Sequence, residues 1–168
     1  MGYKEINARN FDENINRLLI DENAIFTAGV KDAFNSMTVS WGGIGIMWGK
    51  PIFTVMVRQS RHTYNFSEKY DEMTLSFFSS DRKDAVAFFG QNSGKDVDKA
   101  KETGLTPIFY PEGVSYAEAD IIIVGKKVYS QLFDADGIND EKINTLYSTK
   151  DYHKFYYYEI VKILVRDV

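Results

Sequence analysis

The sequence contains no cysteine. That absence excludes a disulfide frame, a thiolate-ligated zinc, an iron–sulfur cluster and a redox thiol. Histidine is scarce too: His62 and His153 are the only two, far apart in the chain. No metal centre is expected from them, so redox chemistry here calls for an organic cofactor. No run of 18 apolar residues occurs, and no helical membrane span is expected. Residues 1–10 lack an apolar signal core, which makes the cytoplasm the expected location. Basic residues number 20 against 24 acidic ones, for a formal charge of −4, and no long basic run occurs. Nucleic acid is therefore not an expected partner.

What is present is an ordinary globular balance with a surplus of aromatics. Hydrophobic residues make up 44% and charged ones 26%, while 11 Tyr and 12 Phe lift the aromatic share to 15%. Aromatics suit strands and flat ligands, and a β-rich core is the plainer explanation. The chain of 168 residues is long enough to bury a core unaided and reads as one domain over 1–168.

Periodicity predicts strands with short helices between them. Strands are expected at Ala24–Val30, Met37–Trp41, Ile52–Arg58, Met73–Phe78 and Tyr156–Val165, with a long one over Ala119–Phe133 interrupted near Gly125. Helices are expected at Phe11–Leu19, Thr63–Lys69, Asp81–Gly90 with Asp81 as cap, Asp96–Thr103 closed by Gly104, and Lys142–Ser148. Gly42, Gly43, Gly45 and Gly49 predict an irregular or closely packed stretch. The order lacks regular βαβ alternation, so an antiparallel barrel with peripheral helices fits better than a doubly wound sheet.

Several motifs fail on inspection. The run from Gly43 would need glycine at position 48 to be a dinucleotide fingerprint, and Trp48 stands there. Gly49-Lys50 and Gly94-Lys95 are not phosphate-binding P-loops, and no nucleophile elbow occurs.

Two segments carry chemistry. Arg58-Gln59-Ser60-Arg61-His62-Thr63 joins a strong strand to an expected helix. Such a turn gathers free backbone N–H groups, and its two arginines and two hydroxyls are suited to a terminal phosphate. A solvated basic turn with Thr63 or Ser60 as helix cap is the commoner outcome on spacing alone. The second segment, Asn35 to Trp41, sets small polar side chains beside a tryptophan and could offer donors and acceptors to a flat polar ring. A strand with a polar outer face is the commoner outcome for this segment taken on its own.

Together, FNSMTVSWG and KPIFTVMVRQSRHTYNF closely resemble the flavin reductase-like, FMN-binding split-barrel family. QNSGKDVDKAKETGLTP and DYHKFYYYEI look like its flavoredoxin-type branch, so the resemblance runs from about Ala24 to the end. It implies a mainly β (α+β) fold, a split β-barrel with antiparallel Greek-key order and peripheral short helices. It also implies a homodimer of six-stranded barrels with FMN near the interface. Carried over by position, Arg58, Ser60, Arg61 and Thr63 would hold the phosphate. Asn35, Met37, Thr38, Ser40 and Trp41 would line the ribityl chain and ring. Ser93 and Lys95 would approach the flavin from its other side, Lys95 stabilising negative charge on the reduced ring. His153 aligns with a histidine of a Gly-Asp-His motif near the nicotinamide. Here that text is Asp151-Tyr152-His153, and Tyr158 follows where glycine is common, two departures that bear on nicotinamide use. The flavin would perform the chemistry, which accounts for the lack of a catalytic dyad. The expected activity is an NAD(P)H-dependent flavin reductase, with NADH or NADPH as donor. The alternatives are an FMN electron carrier reduced by a redox protein partner, and a barrel that has lost its flavin.

Overall fold

The structure is a computed structural model and describes residues 2–167. In chain order the elements are β1 (Tyr3–Ile6), α1 (Ile15–Arg17), β2 (Ala24–Val30), β3 (Ala33–Val39), β4 (Gly42–Met47) and β5 (Lys50–Arg58). There follow α2 (His62–Lys69), β6 (Glu72–Phe77), α3 (Lys83–Gln91), α4 (Lys99–Thr103), β7 (Pro107–Tyr110) and β8 (Gly113–Tyr116). The chain closes with β9 (Ile121–Leu132), α5 (Glu141–Thr145) and β10 (His153–Arg166).

The main sheet runs in the order β3-β2-β6-β9-β10-β5-β4, with β1 paired to the end of β10, and its pairings are antiparallel. Its two outermost strands, β3 and β4, are joined by Ser40 and Trp41 alone. Three peptide steps reach on the order of 10 Å, so the sheet must curl until its edges meet. Connectivity alone thus makes the sheet a barrel. The sheet holds eight strands, seven in that order and β1 off it, where the resemblance implied a barrel of six. The β7–β8 hairpin is separate.

Strands that are apolar on both faces divide two cores between them. In β2, Phe26 points into one cluster with Val55, Leu75, Ile123 and Tyr156, while Ile25 joins Val86, Phe89, Leu105, Tyr116 and Ile122 in the other. The first fills the barrel. The second lies beneath α3 and the hairpin. This double burial is why AIFTAGV and IIIV read as unbroken apolar runs rather than alternating ones.

Several boundaries depart from expectation for identifiable reasons. The first helix begins only at Ile15, because the Asn14 side chain accepts from the Arg17 N–H, and it continues as a π-turn over Leu18–Glu22. Asp81 does not cap α3: its carboxylate accepts from Ser79 Oγ at 2.7 Å, and the α-helix starts at Lys83 after a 3-10 turn. Helix α4 is shorter than expected, capped by the Asp98 side chain and closed by Gly104 at φ 71°. The glycine-rich stretch is an edge strand, β4, and a Cβ at Gly42 would stand 2.2 Å from the Thr54 carbonyl oxygen. Strand β9 runs through Gly125 without a break, and its ladder with β10 slips register twice: Val128 of β9 is the extra residue opposite Tyr157 and Tyr158, and Val161 of β10 is the extra one between Ile160 and Lys162. β1 and the β7–β8 hairpin were not anticipated.

Candidate functional site

The site grows from the turn between β5 and α2. Arg61 occupies the cap position with extended backbone, and no side chain caps the helix. The expected hydroxyl cap is absent because both hydroxyls are used elsewhere. Ser60 Oγ donates to the Asp151 carboxylate at 2.6 Å, and Thr63 Oγ1 accepts from Asn35 Nδ2 at 2.7 Å. An uncapped helix start presents N–H groups and the positive end of the helix dipole, which favours an anion.

A cleft of ≈ 260 Å³ opens at this turn. Asn35 and Met37 come from β3, Ser60 to Thr63 from the turn, Gln91 to Gly94 from the end of α3 and the loop beyond, and Lys99 from α4. The elements meet closely: a Cβ at Gly94 would lie 2.0 Å from Asn35 Oδ1, so only glycine leaves room for that amide. Arg61 Nη2 donates to the Gly90 carbonyl at 2.9 Å. A larger cavity of ≈ 930 Å³ adjoins, sharing Asn35, Gly94 and Lys99 and adding Lys95.

The electrostatics are one-sided. Lys99 is 6% exposed, and its ammonium donates to the Ser36 and Phe89 carbonyls at 2.9 and 2.8 Å. Burial, with Arg61 nearby, pushes its pKa down to about 8. Among the described residues, no carboxylate forms an ion pair with Arg61, Lys95 or Lys99. A buried cation without a counter-charge is unfavourable and favours an anionic ligand. His62 is held below its ordinary value by burial and by Lys95 and Lys99, against the opposing pull of Asp96. Its Nδ1 is buried with no hydrogen-bond partner. The uncapped helix, the unpaired cations and the glycine-lined wall together fit a phosphate-bearing ligand.

The structure thus brings Asn35, Met37, Ser60, Arg61, Thr63 and Ser93 to one cleft, with Lys95 on its neighbour. Five other expected residues do not line it. Thr38 lies on the other face of β3, its hydroxyl bonded to the Val86 carbonyl of α3. Ser40 and Trp41 form the β3–β4 link, and the half-exposed Trp41 ring lies 5.2 Å from that of His153. Arg58 turns away, donating to the Asp151 and Leu146 carbonyls at 2.7 and 3.1 Å over the Tyr147 ring. His153 is buried, with Nδ1 2.8 Å from the Tyr147 hydroxyl, and burial with Arg58 nearby lowers its pKa to about 4. Lys99 and Gln91-Asn92 are site residues that the sequence reading missed. Nothing in the text around Lys99 separates it from the surface lysines beside it. Among the described residues, no group of three or more His, Asp and Glu could hold a metal, and no helix is long and apolar enough to cross a membrane.

The fold has many solved counterparts. Flavoredoxin from Methanosarcina acetivorans matches at TM-score 0.69 and 17% identity, covering 98% of this chain and 76% of its own. Flavoredoxin of Desulfovibrio vulgaris (Miyazaki F) matches at 0.67 and 19%, covering 87% and 70%. An FMN-binding domain of a flavin reductases-like enzyme from Shewanella baltica matches at 0.69 and 14%, covering 97% and 76%. At these identities the likeness shows the fold, a split barrel. No curated protein matches by sequence. Residues 17–167 match the flavin reductase like domain, and with nearly the whole chain inside that match the protein belongs to this family.

Proposed function

We propose that the chain binds FMN in the cleft between β3, α2 and α4 and passes electrons through it. The observation that carries this reading is the set of unpaired cations, Arg61, Lys95 and Lys99, around an uncapped helix start. Arg61 and the first N–H groups of α2 would hold the phosphate, with Ser60 at the rim. Asn35 and Thr63 would orient the ribityl end. Lys95 and Lys99 would face developing negative charge as the ligand is reduced. The flavin supplies hydride and single-electron chemistry when bound, and the protein supplies position and field. The names of the solved neighbours, flavoredoxins and an FMN-binding domain, support the choice of cofactor.

Under the first reading the electron donor is NADH or NADPH, and the protein is a flavin reductase. One observation favours the second reading, a carrier reduced by a protein partner. His153, the residue assigned to the nicotinamide side, is buried and committed to Tyr147. A homodimer is part of the same proposal. Exposed Trp48, in the β4–β5 turn, lies beside Tyr129 and Tyr157, and Ile46 near the end of β4 is exposed as well, giving apolar surface that a second copy would cover. The deciding experiment is an anaerobic absorbance spectrum of the protein with FMN, before and after NADH and then NADPH. Rapid bleaching by either nucleotide establishes the reductase. Bleaching by dithionite alone establishes the carrier, and no flavin binding overturns both.

A further inference from the structure

His62 opens α2 and lines the 260 Å³ cleft between Arg61 and Thr63. Its ring stands edge-on to Phe66, with centroids 5.2 Å apart. The helix fixes its position, and the packing fixes its plane. Nδ1 is shut off from water and has no partner. A buried ring nitrogen in that state favours a small turn of the ring that brings it to a bond, and the cleft that His62 lines is where a ligand can supply one.

The charges facing this ring come from every side of the cleft. Lys95 reaches it from the loop after α3 and Lys99 from α4, while Asp96 opposes them. Arg61 precedes it in the chain. Strand β3 contributes only the uncharged Asn35 and Met37 to the cleft, and β2 carries no ionisable residue. Strand β5 ends in Arg58, which is turned toward Asp151 and Leu146. Burial first, and then the two lysines against one carboxylate, lower the proton affinity of the ring when no anion is bound. A dianion in the cleft reverses that balance.

We infer that His62 selects ligands carrying a phosphate monoester, donating a ring N–H to the phosphate and holding a proton while the ligand is bound. The inference rests on the flavin reading above. Riboflavin, which lacks the phosphate, would gain neither the bond nor the proton, so discrimination between FMN and riboflavin becomes a function of pH. Two proton equilibria then act in opposite directions. The phosphate gains its second charge above about pH 6, which favours binding as pH rises. His62 must take up a proton, which favours binding as pH falls.

The test is a titration of FMN and of riboflavin, followed by flavin fluorescence, from pH 5.5 to 8.5 in the wild type and in His62→Gln. The expected wild-type result is FMN affinity that falls above neutrality, by up to about tenfold per pH unit, with riboflavin nearly flat. In His62→Gln the fall just above neutrality disappears, and what remains is the loss above about pH 8 that deprotonation of Lys99 sets. A second measurement needs no variant that folds: the imidazole NMR signals of the two histidines. FMN, and inorganic phosphate as a minimal probe, should raise the His62 titration midpoint and leave His153 where it is. FMN binding with the same pH profile in both proteins, or an unmoved His62 midpoint, overturns the role of His62 and leaves the flavin reading standing. No binding of either flavin overturns the reading and the inference together.

Discussion

The Asn35 side-chain amide donates to the Thr63 hydroxyl at 2.7 Å, joining β3 to the second residue of α2 across 28 positions of sequence. The other end of the same amide faces Gly94, where even a Cβ would stand 2.0 Å from Oδ1. Three segments therefore meet at one side chain, and none of them can shift without disturbing the other two.

Substitution of Gly94 tests this junction. In Gly94→Ala the new methyl displaces the Asn35 amide, and Thr63 loses its donor. Overpacking of this kind destabilises by about 1–3 kcal/mol. A lower melting temperature together with weaker FMN binding is the expected result. A variant with unchanged affinity would show that Asn35 does not organise the cleft.

Lys99 offers a second test. Lys99→Met keeps the length of the side chain and removes the buried cation, along with its bonds to the Ser36 and Phe89 carbonyls. Loss of a charged hydrogen-bonding group should weaken FMN binding by about 1.5–3 kcal/mol. The folded protein loses two bonds but is relieved of an uncompensated charge, so its stability should change less than its affinity. Calorimetric titration and thermal melting separate the two quantities.

His153 sets a pH dependence of stability. The folded protein holds it at about 4, whereas an unfolded chain would protonate it near 6.5. Between those values the unfolded state binds more protons, so stability is complete above about pH 6.5 and is lost as pH falls toward 4. The expected loss from this group is on the order of 2–3 kcal/mol. His153→Gln should flatten that part of the profile. Denaturant melts at pH 7, 5.5 and 4.5 would show it, and an unchanged slope in the variant would place the acid sensitivity elsewhere.

The barrel was legible in the sequence because its strands are long and its connections short. Part of the cleft lining was legible for the same reason: a strong strand runs straight into a cluster of arginines and hydroxyls, of which Ser60, Arg61 and Thr63 line the cleft. The reading faltered where a side chain's direction decides its role. Asn35 and Met37 share one face of β3 and line the cleft, while Thr38 falls on the other face and bonds α3. Strand alternation separates them, since Met37 and Thr38 are neighbours in the strand and point to opposite faces, but the resemblance assigns residues by position and carries no direction. Lys99 was invisible for a different reason. Its burial comes from the approach of β3 and α3, 63 and 10 residues away, and no local pattern records that.

The segment Arg58-Gln59-Ser60-Arg61 makes the sharpest prediction, because its two arginines face opposite ways. Arg58 grips the chain before β10 through the Asp151 and Leu146 carbonyls and the Tyr147 ring. Arg61 reaches the Gly90 carbonyl and lines the cleft. Arg58→Ala leaves two carbonyls without their donor and should lower stability by about 1–3 kcal/mol. Its effect on FMN affinity should be the smaller of the two. Arg61→Ala should do the reverse, weakening FMN by about 1.5–3 kcal/mol, the scale of a charge-assisted bond, with little change in the melting temperature. Four measurements, two melts and two flavin titrations, decide the matter. Equal losses of affinity in both variants would mean that FMN binding draws Arg58 away from Asp151 and into the cleft, as the alignment by position implies.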